Sequence, residues 1–160
     1  MEGILMHHAA NSAMLEIIAF RLHDQEFCVR TVTIREIRGW APVTPIPQAP
    51  SEVLGVMNLR GTVIPVINLA LKLGMSGAEP TERSAIVVTE VHGMVMGLLV
   101  DQVSDILMVS ADLLQPVPDI TSSGASAFSD GIIVQPSGMI CFLNLDRMFN
   151  RSEAELLLAA

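Results

Sequence analysis

The chain has 160 residues, of which 51% are hydrophobic and 16% are charged, and its formal net charge at pH 7 is −8. The apolar content excludes an intrinsically disordered chain, because enough apolar surface is present to offset the entropy of ordering. The acidic balance argues against partners such as nucleic acid or an anionic membrane surface, which basic residues recognise. No apolar run approaches the ~18 residues that a membrane-spanning helix needs, so we expect no direct membrane insertion and one cytoplasmic domain, or two small lobes sharing a core.

Residues 1–14 show no hydrophobic periodicity and are predicted to form a flexible N-terminal tail. The start of the chain also lacks the basic and apolar regions of a signal peptide, in line with a cytoplasmic protein. His7 and His8 could begin a metal site, but no third ligand follows at a suitable spacing. We therefore expect neither a metal nor a cofactor.

A β-hairpin is predicted next, with strands at Leu15–Leu22 and Glu26–Arg30. Further on, four prolines within Ala41–Pro50 predict an extended connector, since proline holds the preceding residue out of the helical region. A PxxP-type ligand for a partner's aromatic groove is the functional alternative for this connector.

Between the hairpin and the connector, Thr33–Arg38 predicts a short helix. Ile34 and Ile37 have the spacing of apolar residues on one helix face. Thr33 and Glu36 fit a capping box at its start, which would satisfy two free backbone N–H groups.

The stretch 54–74 predicts a strand, a tight turn, a second strand and a short helix. Gly61 supplies the positive φ that the turn needs, and Pro65 cannot donate to a strand ladder, which predicts an edge strand or a bulge. Asn68 is placed to cap the helix, which should end at Gly74.

The sequence NLRGTVIPVINL within this stretch resembles the signature of the CheW-like chemotaxis coupling proteins. The residues that fit it are Asn58, Leu59, Arg60, Gly61, Pro65 and Leu69. Asn68 stands where the family usually has Asp, and Ala70 stands where it often has Arg. The resemblance extends over residues 15–149.

The second half of the chain repeats the first. Ser84–Val91 and Met94–Val100 predict another hairpin, and 101–108 is the predicted counterpart of the first short helix. An offset of 71 residues relates Val29, Val32, Pro45 and Pro47 to Val100, Val103, Pro116 and Pro118. The offset is 76 in the last hairpin, and five extra residues in the loop at 121–129 account for the difference.

The fold class predicted from this pattern is all-β. We expect subdomain 1 at about 15–75, subdomain 2 at about 84–150, short helices at the connections, and a C-terminal helix at 151–160. About five short strands in each half suit a small closed barrel that hides its edges, with the two lobes burying apolar faces against each other. The resemblance implies the same picture, two SH3-like five-stranded barrels with a groove between them.

The resemblance also implies a non-catalytic adaptor, which joins the cytoplasmic tips of methyl-accepting chemotaxis receptors to the regulatory domain of the histidine autokinase CheA. It would then work with receptor arrays at the inner membrane. The receptor tip is expected in the groove between the lobes, and the kinase at a barrel end, whose residues stay unassigned. The receptor-binding positions implied by the motif and its neighbouring strands are Ile34, Glu36, Arg60, Gly61, Ile86, Gly97, Val103 and Ile106.

Arg60 has a physical argument of its own, because a guanidinium at the tip of a tight turn is fixed in direction and can bind a carboxylate through two hydrogen bonds. Asp101 and Asp105 are interpreted as carboxylates at the start of a helix, facing the positive end of its dipole. Cys28 and Cys141 fall in apolar runs and are interpreted as buried thiols, although the sequence alone leaves a disulfide open.

Three other readings stay open from the sequence. The chain could be a CheW-like adaptor of a non-chemotaxis pathway such as surface motility or second-messenger control. It could also be part of a longer chain, either a kinase regulatory domain or a coupling protein with a receiver domain. An enzyme is the third, but no nucleophile elbow, phosphate-binding loop, dinucleotide fingerprint or zinc-protease motif is present.

Overall fold

The computed structural model describes residues 13–77, 79–118 and 128–149. Most of the flexible tail predicted at 1–14, most of the loop at 121–129 and the helix predicted at 151–160 lie outside these residues. Met14 already belongs to the first strand.

The described residues are mainly β-structure, which confirms the predicted class. The strands are β1 (Met14–Leu22), β2 (Gln25–Arg30), β3 (Ile34–Gly39), β4 (Val53–Leu59), β5 (Thr62–Asn68), β6 (Ala85–Val91), β7 (Met94–Val100), β8 (Gln102–Ser110), β9 (Leu114–Gln115), β10 (Ser129–Gln135) and β11 (Gly138–Leu143). The short helices are α1 (Leu69–Lys72) and α2 (Leu145–Met148), and 3-10 turns occur at Thr31–Thr33 and Ala111–Leu113.

Two sheets form two lobes. Lobe A has the strand order β8-β1-β2-β11-β10-β9, and lobe B has the order β3-β6-β7-β5-β4. In lobe A the edge strands β8 and β9 follow each other in the chain, joined only by the turn Ala111–Leu113, so the sheet curls until its edges meet. In lobe B the bridge between Thr44 and Val56 ties the segment after β3 to the opposite edge, β4. Both sheets are therefore barrel-like, which protects their edges.

Each lobe takes strands from both halves of the chain. The hairpin β1–β2 pairs with β8 and β11, and the hairpin β6–β7 pairs with β3 and β5. The two halves thus have the same strand connections, and each gives its first hairpin to the other's sheet. The predicted boundaries of about 15–75 and 84–150 therefore do not coincide with the lobes.

The strand register corrects the offset of 71 residues that is predicted between the two halves of the repeat. Ile34 pairs with Thr89 while Val103 pairs with Phe20, so Ile34 and Val103 are equivalent, 69 residues apart. The offset of 71 holds only in the crossover, where Thr44 and Gln115 make equivalent contacts with β4 and β10.

Ile34–Gly39 forms β3 where a helix is predicted at Thr33–Arg38, and Gln102–Ser110 likewise forms the strand β8. A bulge lies between Ile34 and Glu36, so Ile34 and Ile37 face the same side of the sheet although they are three residues apart. A bulge in an antiparallel pair adds one residue to the two-residue period, which produces the spacing of a helix turn.

The structure confirms most of the predictions for the hairpin at 53–68 and the helix after it. Asn68 accepts a hydrogen bond from the N–H of Leu71 (3.2 Å) and caps α1. Gly74 then adopts a φ of +82° after the helix. Pro65, however, lies in an inner strand and not at the predicted edge, because β5 runs between β4 and β7. The parallel ladder of β5 with β7 begins only at Val66, so it does not include Pro65.

Among the residues that the structure describes, the core has three parts. A central cluster joins the lobes, with Phe20 and Val29 of lobe A packed in one group with Val87 and Leu98 of lobe B. A smaller cluster fills each barrel, around Ile17 in lobe A and around Ile86 in lobe B. The predicted burial of one lobe against the other is thereby confirmed, and it fixes the two barrels relative to each other.

Candidate functional site

The β4–β5 turn holds Arg60 at the end of lobe B. Arg60 and Gly61 have φ values of +50° and +90°, as both central residues of a type I′ turn do. The side chain of Asn58 accepts a hydrogen bond from the Gly61 N–H at 2.7 Å. The residues of the NLRG sequence thus determine the direction in which Arg60 leaves the turn.

Arg60 forms a two-pronged ion pair with Glu36 of β3. Nη2 is 2.5 Å from Oε1 and Nη1 is 3.4 Å from Oε2. Because β3 and β4 are the opposite edges of this sheet, the ion pair joins the two edges at the end of the barrel. The Arg60 side chain is 72% exposed and that of Glu36 is 25% exposed, so the guanidinium stays accessible to a partner.

A shallow cavity of about 290 Å³ lies beside this pair, lined in part by Leu59, Thr62, Ile64 and Val95. The exposed Val63 (63%) lies on the same hairpin. The end of lobe B therefore combines a fixed cation with apolar surface.

The corresponding end of lobe A has different chemistry. Its two-residue turn is flanked by the pair Gln135 and Gly138, as the lobe B turn is flanked by Leu59 and Thr62. Pro136 therefore stands in place of Arg60. A larger cavity of about 470 Å³ opens at this end. The two barrel ends are thus chemically distinct.

Two of the predicted receptor-binding residues are buried. Ile86 is 1% exposed in the core of lobe B, which corrects its placement on a groove. Gly97 lies directly beneath it, and a Cβ added there would be 2.6 Å from Ile86 Cγ2. Both residues support the packing of the barrel and present no side chain to a partner.

The remaining predicted residues lie near the junction of the lobes. Ile34 and Val103 are half-buried against the central cluster. Ile106 is 57% exposed on β8. Two further exposed apolar residues, Met108 (59%) and Ile37 (42%), lie nearby on the same two strands and are not among the predicted residues. The internal repeat could have predicted Ile37, because Ile37 is the counterpart of Ile106 in the first half of the chain.

Asp101 and Asp105 do not begin a helix. Asp101 accepts a hydrogen bond through Oδ2 from the backbone N–H of His23 (2.7 Å), and Asp105 accepts one from the N–H of Ile106 (2.8 Å). Both carboxylates therefore bind loop and strand backbone and do not face a helix dipole, which corrects that interpretation, and their structural role stays a prediction.

His23 and His92 occupy equivalent hairpin turns, both in the left-handed region. Nε2 of His23 lies 2.5 Å from the carbonyl oxygen of Ser76, and Nε2 of His92 lies 3.0 Å from that of Asp146. Each ring thus connects the hairpin of one lobe to the segment at or after the short helix that follows the other lobe, within the same half of the chain. These contacts explain both histidines without a catalytic role.

Cys28 and Cys141 are free thiols on adjacent strands. Cys28 packs in the lobe A core while Cys141 packs against the central cluster, so they point to opposite faces of the sheet and cannot form a disulfide. Burial, with smaller contributions from Cys141 and Glu26, raises the pKa of Cys28 well above its ordinary value. Burial also raises the pKa of Cys141, although its hydrogen bond to Ser129 opposes this.

Within the described ranges, no group of three or more His, Cys, Asp or Glu side chains could hold a metal ion. In the same part of the chain, no helix has the length and apolar character needed to cross a membrane.

The comparisons with known proteins agree with this architecture. Residues 16–153 match the model of the CheW-like domain. The chain is 52% identical over 140 residues to the chemotaxis protein CheW of Rhizobium meliloti (strain 1021), covering 88% of this chain and 90% of the relative. It is 49% identical over 145 residues to the probable chemotaxis protein CheW of Rhizobium etli, covering 91% and 94%.

A solved structure is also similar. The crystal structure of the scaffolding protein TtCheW from Thermoanaerobacter tengcongensis superposes with a TM-score of 0.79 at 28% identity, covering 88% of this chain and 96% of that one. The match spans both lobes, because it extends over nearly all of the described residues. The chain belongs to the CheW-like family.

Proposed function

We propose that this protein is a non-catalytic adaptor of bacterial chemotaxis, which couples the cytoplasmic tips of chemoreceptors to the histidine autokinase of the pathway. The observation that carries the proposal is the rigid, exposed Arg60–Glu36 pair in the NLRG turn of a chain from the CheW-like family. Relatives named as chemotaxis proteins, at 52% and 49% identity, favour chemotaxis over a surface-motility or second-messenger pathway.

The two partners would use different parts of the molecule. The receptor tip is a helical hairpin, which suits the concave region where the lobes meet, near Ile34, Val103 and Ile106. The kinase would use a barrel end, whose residues stay unassigned, and the pair of Arg60 and Glu36 lies at the end of lobe B. The adaptor would reach the receptor arrays at the inner membrane through these partners and without inserting into the bilayer itself.

Reconstitution tests the proposal. The chain should form a ternary complex with a receptor-tip fragment and the kinase regulatory domain of the same organism, measured by sedimentation and by pairwise titration. Binding to both partners, with no complex between receptor and kinase when the chain is left out, is the expected result. Failure to bind either partner would refute the coupling function.

A further inference from the structure

The sulfur atoms of this chain differ in how readily an oxidant can reach them. Burial raises the pKa of both thiols, Cys28 and Cys141, which keeps them in the less reactive protonated form. Among the described residues, three methionines are strongly exposed, namely Met14 (53%), Met108 (59%) and Met139 (67%). A thioether has no proton to lose, so its reactivity depends on exposure alone. An oxidant in solution therefore meets these methionines before the cysteines.

Met14 and Met108 lie on the same face of the strand pair β1–β8. Met14 is opposite Ser110, and Met108 is opposite Glu16, so the two methionines are diagonal neighbours within reach of each other's long side chains. Ile106, two residues before Met108, extends the same face and is also exposed. We call the three apolar residues Met14, Ile106 and Met108 the Met108 strip.

The Met108 strip is the uncovered margin of the face that lobe A packs against lobe B. Ile18, which is opposite Ile106, is buried in the central cluster, whereas the strip beside it is exposed. Gly39, 69 residues before Met108, has the equivalent strand pairing in lobe B and carries no side chain. Oxidation at Met108 would therefore change the margin of one lobe without an equivalent change in the other.

We propose that Met108 is a site of reversible oxidation by hydroperoxides, and that the resulting sulfoxide weakens receptor binding. A lone pair of the thioether sulfur attacks the terminal peroxide oxygen, the O–O bond breaks, and a sulfur–oxygen bond forms. The proton of the transferred hydroxyl group passes to the leaving oxygen, which departs as water or as an alcohol. The sulfur is thus oxidised by two electrons and the peroxide is reduced, and methionine sulfoxide reductases reverse the change.

The effect on the receptor rests on the proposed function, which places the receptor tip near Ile106. Met108 shares a face with Ile106, so its sulfoxide would put a polar oxygen on apolar surface that the receptor helix covers. Glu16, opposite Met108, offers this oxygen no donor, because its carboxylate is itself an acceptor and binds the Thr31 hydroxyl at 2.6 Å. The fold should not change, since Met108 contributes to no buried cluster.

Brief treatment of the full chain with dilute hydrogen peroxide, followed by peptide mass spectrometry, measures the oxidation of each methionine. Met108 should be oxidised at least about tenfold faster than the buried Met96. The oxidised chain should bind the receptor-tip fragment about fivefold or more weakly at an unchanged melting temperature, and a methionine sulfoxide reductase should restore the affinity. Met108→Gln, which introduces a polar side chain of similar length, should reproduce the loss without peroxide.

Met108→Leu and Met139→Leu form a matched pair, because each removes one exposed thioether and keeps all the other methionines. The receptor affinity of each variant is compared before and after peroxide. The two values should be nearly equal in Met108→Leu, whereas Met139→Leu should still lose about fivefold.

The inference is overturned if Met108 is oxidised no faster than Met96, if peroxide weakens Met108→Leu as much as Met139→Leu, or if Met108→Gln binds the receptor fragment normally. In each of these cases the untreated chain still binds, so the proposed function stands. If the untreated chain does not bind the receptor fragment, the proposed function fails, and the effect assigned to Met108 fails with it.

Discussion

Arg60 and Glu36 connect the two edges of the lobe B sheet, although β3, which carries Glu36, pairs with neither strand of the hairpin that carries Arg60. The pair is held by the turn on one side and by β3 on the other. The same two residues therefore contribute to closing the barrel and present a guanidinium to solvent.

We expect Arg60→Glu to abolish coupling while the protein stays folded. An exposed ion pair contributes about 0–1 kcal/mol, so the free energy of unfolding should fall only slightly. The charge-swapped double variant Arg60→Glu with Glu36→Arg should recover that loss in urea denaturation. Partner affinity, measured by titration, should stay low in the swap, since the guanidinium has moved. Recovery of binding as well as stability would mean that the pair acts only by closing the barrel.

A second prediction concerns Ile86, which the sequence placed on the receptor groove. Because it is buried, Ile86→Asp should prevent folding and should not weaken one partner selectively. Gly97→Ala should cost about 1–3 kcal/mol through its clash with Ile86 Cγ2.

The double variant Gly97→Ala with Ile86→Ala should lose less stability than the two single variants added together, because removing Cγ2 relieves the clash. Additive losses in a double-mutant cycle would contradict this contact. A folded Ile86→Asp that had lost receptor binding alone would restore the sequence-based assignment.

A third prediction uses the repeat. Gly55 and Gly131 have φ values of +154° and +153°, and an added Cβ would lie 2.1 Å from the carbonyl oxygen of Thr44 and 2.5 Å from that of Gln115. Gly55→Ala and Gly131→Ala should each destabilise the fold by about 2–4 kcal/mol, because each closes the same contact between crossover and sheet edge. Gly93→Ala is the control, since its Cβ would meet open space and only its φ of +81° is unfavourable, at about 1–2 kcal/mol. Equal losses at all three positions in denaturant titrations would rule out the steric explanation.

A fourth prediction concerns Asp101. Asp101→Asn keeps an oxygen that can accept the His23 N–H, so its cost should stay below about 1 kcal/mol. Asp101→Ala leaves that N–H without its acceptor and should cost about 1–3 kcal/mol. Receptor and kinase affinities of the Asn variant should remain within a few fold, and a folded Asn variant that no longer binds would assign the carboxylate a direct role.

Much of the β4–β5 region could be predicted from sequence because its structure depends on neighbouring residues. A glycine with positive φ, an asparagine before a helix and a run of β-branched residues each act locally. The exchange of hairpins between lobes could not be predicted, since a strand pattern does not state which sheet the strand joins. The bulge after Ile34 is the reason that the predicted helix is wrong, because it gives the apolar residues of a strand the spacing of a helix face.

The sequence around Ile86 carries a signal of its burial. Ile86 lies in the uninterrupted apolar run from Ala85 to Val88, all of which is buried. Such a run is typical of a strand covered on both faces, whereas a groove-lining strand alternates apolar and polar residues. The run alone does not decide exposure, because 106–109 is an equally uninterrupted apolar run in which Ile106 and Met108 are 57% and 59% exposed.

The last prediction concerns pH. Because burial raises the pKa of the Cys28 thiol in the folded state, the fold favours the protonated form. This contribution is complete below the pKa of the thiol in the unfolded chain, about 8.5, and is lost as the pH rises above it, because the unfolded thiol then ionises and the folded one does not. The free energy of unfolding should therefore decrease between about pH 8.5 and 10.

The composition of the chain makes the loss of stability in this alkaline pH range informative about Cys28. The chain has no tyrosine, and Lys72 is its single lysine, so few other side chains titrate there. Cys28→Ala should lower stability at all pH values, since it leaves a small cavity, but the decrease above about pH 8.5 should become shallower. Urea denaturation at several pH values measures both effects, and Cys141→Ala serves as the comparison at a less buried thiol. Alkylation of Cys28 should be slow in the native protein and fast in urea, because the thiolate is the reactive form. A stability curve of unchanged slope in Cys28→Ala would show that another group controls the alkaline loss.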